Sequence, residues 1–236
     1  VKRLFAMALE KAVAKTDKIT YQAMEAFIHN LNTMHSRAGA QVPFSSVNSG
    51  TDISEEGRMV IKNLLLATEK GLGNGETPIF PILIFKVKEG VNLNQEDPNY
   101  DLFKLACRVS SKRLFPNFSF LDAPFNAKYY VEGIPETEAT YMGCRTRVLG
   151  NVCGEEIVIG RGNLSFTTIN LPRLGIKYGS INGQALNIDG FFKELNEKID
   201  LVINQLLERF EVQASKKVKN FPFLMGQNIW HGSEGL

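Results

Sequence analysis

The stretch "PIFPILIFKVKEG", Pro78 to Gly90, decides how the chain folds. It is a nearly continuous run of β-branched and aromatic residues, without the alternation of a strand that has one wet face. Such a run reads as a strand buried on both sides, as parallel strands beneath helices are. The segments around it agree. A helix is expected from Ser54, with Glu55 and Glu56 in its first turn where the helix dipole favours negative charge, closing at Lys70-Gly71. Another is expected within "NYDLFKLACRVSSKRLF", with Leu102, Leu105, Ala106 and Val109 as its apolar stripe. "FSFLD", 118–122, then reads as a second short strand.

Further out the pattern continues. Residues 4–15 and 20–34 read as two helices, broken at the capping residues Thr16 and Asp17. Residues 36–53, rich in Ser, Gly and Asn around an apolar centre, read as a short strand between loops. Residues 138–148 and 157–171 read as extended arms joined by "LGNVCGEE", and about 189–215 as a long amphipathic helix. Strands alternating with long helices imply an α/β fold with mostly parallel pairing. No repeat and no domain boundary is visible.

Composition bounds the function. A net charge of +2 provides no strongly basic face, so nucleic acid is not an expected partner. No run of 18 apolar residues is present, so no membrane span is expected. Three cysteines, Cys107, Cys144 and Cys153, are too few and too odd in number for a disulfide framework, which implies a reducing, cytoplasmic setting. There the Asn-x-Ser patterns at Asn117 and Asn163 carry no glycan. The chain opens at Val1 in helical periodicity and closes on "WHGSEGL", which reads as a segment of a longer protein.

Common chemical motifs are missing. The Gly-rich "EKGLGNGET" follows a helix and precedes a strand, the reverse of a phosphate loop, and reads as a helix cap and loop. His29 and His35 are six apart, on different helical faces, and no paired cysteines offer a metal site. The pairs Glu55-Glu56 and Glu155-Glu156 read as solvated. Cys107 reads as a small hydrophobe beside an apolar stripe, and Cys153 as an incidental thiol in a turn.

Cys144 stands apart. It follows Gly143 and precedes Arg145 and Arg147 in an extended arm. The second arm carries Asn163, Ser165, Thr167 and Thr168, polar residues that meet water or line a pocket. The arginines suit either a lowered thiol pKa or an anionic substrate. A thiolate nucleophile would want a base, and no histidine lies near in sequence. One-electron chemistry at a neutral sulfur needs none.

The stretches "SRAGAQVPFSSVNSGTD", "ETPIFPILIFKVKEGVN", "FPNFSFLDAPFN", "YMGCRTRV", "RGNLSFTTINLPRL" and "KNFPFLMGQNIW" together resemble the large subunit of the anaerobic (class III) ribonucleoside-triphosphate reductases. The resemblance runs in order from about residue 30 to 231. It implies a ten-stranded α/β barrel, of which 1–236 would be the central part, threaded by a finger loop. "YMGCRTRV" resembles that loop, making Cys144 the radical cysteine that takes the 3′-hydrogen of the ribose. Asn163 of "RGN" resembles a polar catalytic residue near the ribose hydroxyls. Ser45, Ser46 and Asn48 resemble a strand end at the barrel mouth, where substrate contact and backbone support are equal alternatives. On this reading the thiol is neutral at rest and the arginines anchor the loop.

The resemblance also implies parts that this sequence lacks: a glycyl-radical site, a four-cysteine zinc site, a second active-site cysteine and an N-terminal ATP-binding regulatory region. In the complete enzyme it implies ribonucleoside triphosphate substrates and formate as reductant. It further implies ATP and deoxynucleotide effectors, an iron–sulfur S-adenosylmethionine activase and a homodimer, in the service of deoxyribonucleotide synthesis. The alternative is a split or truncated segment that only binds nucleotide or assembles with complementary pieces. Alone, the chain is expected to be inactive.

Overall fold

A computed structural model describes residues 2–35, 41–144, 146–151, 154–180 and 183–222. Arg145, Cys153, the 36–40 stretch and the 223–236 end, all singled out in the sequence, lie outside the described residues. Residues 1–158 and 159–236 form two compact units.

In the first unit, β1 (Ser46–Ser49), β2 (Ile82–Val87) and β3 (Asn117–Phe120) form a parallel sheet in the order β1-β2-β3. The expectation for Pro78–Gly90 holds: all six residues of β2 are buried, and it is the central strand. Its alternate side chains serve two layers. Leu83, Phe85 and Val87 join a core with α1 (Lys2–Thr33), α2 (Glu55–Lys70) and α3 (Tyr100–Arg113). Ile82 and Ile84 face the other way, into a smaller cluster with Phe80, Leu31, Val42, Phe115 and Tyr141. Each large side chain so buried contributes roughly 1.5–3 kcal/mol. The helices therefore cover one face. The opposite face carries the polar residues described below.

The cap at Ser54 forms as expected, its hydroxyl accepting from the Gly57 N–H at 3.1 Å. At the other end of α2, Gly71 takes φ 82°, and the buried Arg113 donates to the carbonyls of Glu69 and Lys70. "EKGLGNGET" is thus a helix cap and loop.

Two expectations are corrected here. Residues 2–33 form one helix, not two, because Asp17 does not cap: its carboxylate accepts from Lys62 (2.7 Å) and Asn63 (2.9 Å) on α2. Those hydrogen bonds, Lys62's first, hold the Asp17 carboxyl below the usual carboxylate range. Cys107 is exposed on α3 and not packed in the core, while the partial burial of its thiol pushes the pKa up.

After β3 come the single turn α4 (Pro124–Ala127) and a hairpin of β4 (Thr140–Met142) and β5 (Thr146–Val148). The sequence suggested that 138–148 pairs with 157–171. The first arm instead folds back on itself, because Gly143 at φ 61° lets the chain reverse within three residues. The 157–170 stretch forms no strand. At its start the Val158 N–H donates to the Glu136 carbonyl within the first unit, and further on, within the second unit, Arg209 donates to the Phe166 carbonyl and Gln213 to that of Leu164.

The second unit holds α5 (Leu171–Tyr178) and α6 (Ile188–Ala214), capped by the side chains of Asn170 and Asn187. Glu194 joins the two helices, accepting from Lys177 and from the Tyr178 hydroxyl, and these hydrogen bonds lower its pKa. No closed barrel is present among the described residues. No described helix is long and apolar enough to cross a membrane.

Candidate functional site: a cysteine at the tip of a clamped hairpin

Cys144 lies in the turn between β4 and β5 and is exposed. The position of this hairpin is the structural fact on which any chemistry at the sulfur depends. A hairpin of three-residue strands has little stability of its own. Here the sheet supplies it.

Asn48 on β1 uses both ends of its amide on a single residue of β4. Its Oδ1 accepts from the Tyr141 N–H at 2.9 Å, and its Nδ2 donates to the Tyr141 carbonyl at 2.8 Å. The side chain thereby imitates a neighbouring strand. Two residues earlier on β1, the Ser46 hydroxyl accepts from the Gly143 N–H at 3.0 Å and reaches the Tyr141 carbonyl at 3.5 Å. As the chain advances from Tyr141 to Gly143 its partners retreat from Asn48 to Ser46, so β4 runs against β1. Ser45 donates to the Pro43 carbonyl at 3.3 Å, and its own carbonyl accepts from the Ile82 N–H. In this arrangement Ser46 and Asn48 support the hairpin's backbone.

The root of the hairpin is held differently. Lys86, the only charged residue of β2, reaches Glu138 at 2.8 Å, with both side chains almost wholly buried. Thr51 donates to the same carboxylate oxygen at 3.3 Å. Just upstream, the buried Thr137 hydroxyl accepts from the Val131 N–H and donates to the Ile134 carbonyl. The returning strand is tied by Arg147, which donates to the buried Asn126 at 3.2 Å and lies over the Phe125 ring. Arg147 therefore acts as an anchor of the loop.

At the tip, Gly143 meets Phe44: a Cβ there would stand 2.7 Å from the ring edge. Gly143→Ala is expected to destabilise the hairpin by about 1–2 kcal/mol, since the left-handed backbone and the contact with Phe44 both oppose a side chain. The measurement is hydrogen exchange at the Tyr141 amide. It should accelerate while amides of β2 keep their protection.

Asn163, the other catalytic candidate, is exposed in the second unit. That unit also contains a cleft of about 490 Å³ lined by Thr167, Thr168, Asn170, Arg173 and Lys198 among others. No three His, Cys, Asp or Glu side chains gather to hold a metal among the described residues.

A family model described as anaerobic ribonucleoside-triphosphate reductase matches residues 1–235. The chain belongs to that family. Among similar proteins, the anaerobic ribonucleoside-triphosphate reductase of Enterobacteria phage T4 is 38% identical over 220 residues, which is 92% of this chain and 35% of the relative. The proteins of the same name from Haemophilus influenzae and Escherichia coli K12 are each 32% identical over 216 residues, covering 90% of this chain and 28% of theirs. This family member thus spans about a third of the length of the relatives it matches. The resemblance noted in the sequence is established at the level of the family, and a mixed α/β fold fits it.

Five residues of the family member's hairpin clamp were not singled out as functional in the sequence: Thr51, Lys86, Asn126, Thr137 and Glu138. For Lys86 a signal existed. A lysine inside the apolar run "ILIFKV" is almost never buried without a carboxylate partner.

Proposed function

We propose that this chain is the segment of an anaerobic ribonucleoside-triphosphate reductase that presents the reacting sulfur. The whole enzyme reduces ribonucleoside triphosphates to their 2′-deoxy forms, with formate as reductant. The single observation that carries the reading is the clamped hairpin with Cys144 at its tip, in a chain of this family. Radical transfer requires a sulfur held at a fixed place against the substrate, and a cysteine on a tethered turn supplies that. In its thiyl form Cys144 takes the hydrogen atom from C3′ of the ribose. The C–H bond breaks, an S–H bond forms, and the unpaired electron passes to the sugar carbon. No base is involved.

In the complete enzyme a glycyl radical outside this sequence, installed by an iron–sulfur S-adenosylmethionine activase, would supply the thiyl form by taking the hydrogen atom of the Cys144 thiol, the S–H bond breaking as a glycine C–H bond forms. The other half of a ten-stranded barrel would cover the polar face of the sheet and remove Cys144 from solvent. Asn163 would bind the ribose hydroxyls, and Ser45 would stand at the barrel mouth. The zinc site, the effector sites for ATP and deoxynucleotides, and the homodimer interface would belong to the complete cytoplasmic enzyme.

The test uses the complete reductase polypeptide with substrate carrying deuterium at C3′. A primary isotope effect on kcat/KM is expected, because that bond breaks at Cys144. Its absence would sink the reading.

A further inference from the structure

We propose that Lys86 and Glu138 are positioning residues: their buried ion pair fixes the root of the β4–β5 hairpin on the sheet and thereby sets where the Cys144 sulfur stands. Four observations converge on this. The pair is the best shielded among the described ion pairs, at 10% and 12% side-chain exposure, whereas each of the others has a partner at 36% or more. Exposed pairs hold little, but a shielded one is costly to break, because a lone charge is left in place of two.

The pair also sits where leverage is greatest. Glu138 lies between the buried Thr137 and the buried Ala139, so its backbone cannot shift freely. It precedes β4 by two residues and Cys144 by six. The tethers nearer the tip, at Asn48 and Ser46, are neutral hydrogen bonds to backbone. Finally, Lys86 springs from the central strand, the most rigid element of the sheet, on the face that carries Asn48. The hairpin is thus referenced to the core through one charged contact and registered along β1 by neutral ones. Because Glu138 engages its ammonium, Lys86 is assigned to the hairpin and not to a substrate phosphate.

The experiment has two arms, both in the complete reductase polypeptide. The kinetic arm rests on the reading of Cys144 given above, and the exchange arm does not. Variants are Glu138→Gln, Lys86→Met and the double Lys86→Met/Glu138→Gln. The double variant leaves neither charge alone and so keeps the sheet folded if a single change does not. Lys70→Met, which breaks the exposed Lys70–Glu25 pair, is the control.

Hydrogen exchange at the Tyr141 and Gly143 amides should accelerate about tenfold or more in the double variant, with the amides of Leu83 and Phe85 unchanged. Turnover should fall about tenfold or more, with nucleotide KM within about twofold and the glycyl-radical signal after activation unaltered. A general loss of structure would instead release the β2 amides and lower the radical signal, which would overturn the proposal. So would unchanged exchange at Tyr141, or an unchanged kcat alongside faster exchange. Should Cys144→Ala retain turnover, the catalytic reading fails by itself, and the exchange arm still decides whether the ion pair holds the hairpin.

Discussion

Cys144→Ala in the complete reductase polypeptide is expected to lower ribonucleotide reduction by at least about a thousandfold, equivalent to about 4 kcal/mol of barrier. Alanine has no atom that can hold the unpaired electron or accept the 3′-hydrogen. Cys144→Ser should fail as completely, because its O–H bond is far harder to convert to a radical. Neither change should disturb the fold. The side chain is exposed in a turn, and substitutions at such places usually stay within about 0.5 kcal/mol. Nucleotide binding, measured by equilibrium dialysis, should therefore remain near that of the unchanged protein. Turnover retained by Cys144→Ala would remove the proposed role.

Parts of this arrangement are legible in sequence because local chemistry decides them. β2 announces itself since all six of its residues are buried, which leaves no room for polar alternation. α2 does so through Ser54 at one end and Gly71 at the other, both of which act where residue type predicts. Cys144 is visible as an oddly placed cysteine. What stays hidden depends on contacts between distant residues. Thr16 and Asp17 look like a helix break until Lys62 and Asn63 draw Asp17 into a tertiary contact. Lys86 and Glu138 stand 52 residues apart, and Asn48 and Tyr141 stand 93 apart. The reversal at Gly143 is hidden for another reason. A single glycine in an extended arm signals a possible turn, yet only the pairing of Tyr141 with Arg147 shows that the chain uses it.

The hairpin clamp and the sheet share one design. Backbone groups that end a strand or begin a loop are satisfied by side-chain amides. The half-buried Asn48 does this for β4, the buried Asn92 for the carboxyl ends of both β1 and β2, and the buried Asn99 for the residues just after β1. At Gly50 the two strands come so close that a Cβ would stand 2.5 Å from the Lys86 carbonyl oxygen. Glycine at φ 125° makes the approach possible, and asparagine holds it.

Asn92→Leu is accordingly expected to destabilise the chain by about 2–4 kcal/mol. Asn92 is wholly buried. Its Nδ2 donates to the carbonyls of Gly50 at 2.9 Å and Lys86 at 2.8 Å, and its Oδ1 accepts from the Lys88 N–H at 2.9 Å. Leucine fills the same space but takes that amide from the Lys86 carbonyl and the Lys88 N–H, while the Gly50 carbonyl keeps the Asn99 amide at 3.1 Å. Each such group costs about 1–3 kcal/mol, and the added apolar contact offsets part of the sum. The matched control is Ser119→Ala on β3. Ser119 is also buried, but its hydroxyl has no hydrogen-bond partner among the described residues, so its removal should leave stability level or raise it by up to about 1 kcal/mol. Urea unfolding of both variants, with the slope held to that of the parent, measures the difference. The opposed signs are the discriminating result. If burial alone stabilised this end of the sheet, Asn92→Leu would be harmless. If the amide joins the two strand ends as the geometry indicates, the midpoint falls steeply. Lys86, whose carbonyl Asn92 holds, then loses the fixed backbone from which it reaches Glu138.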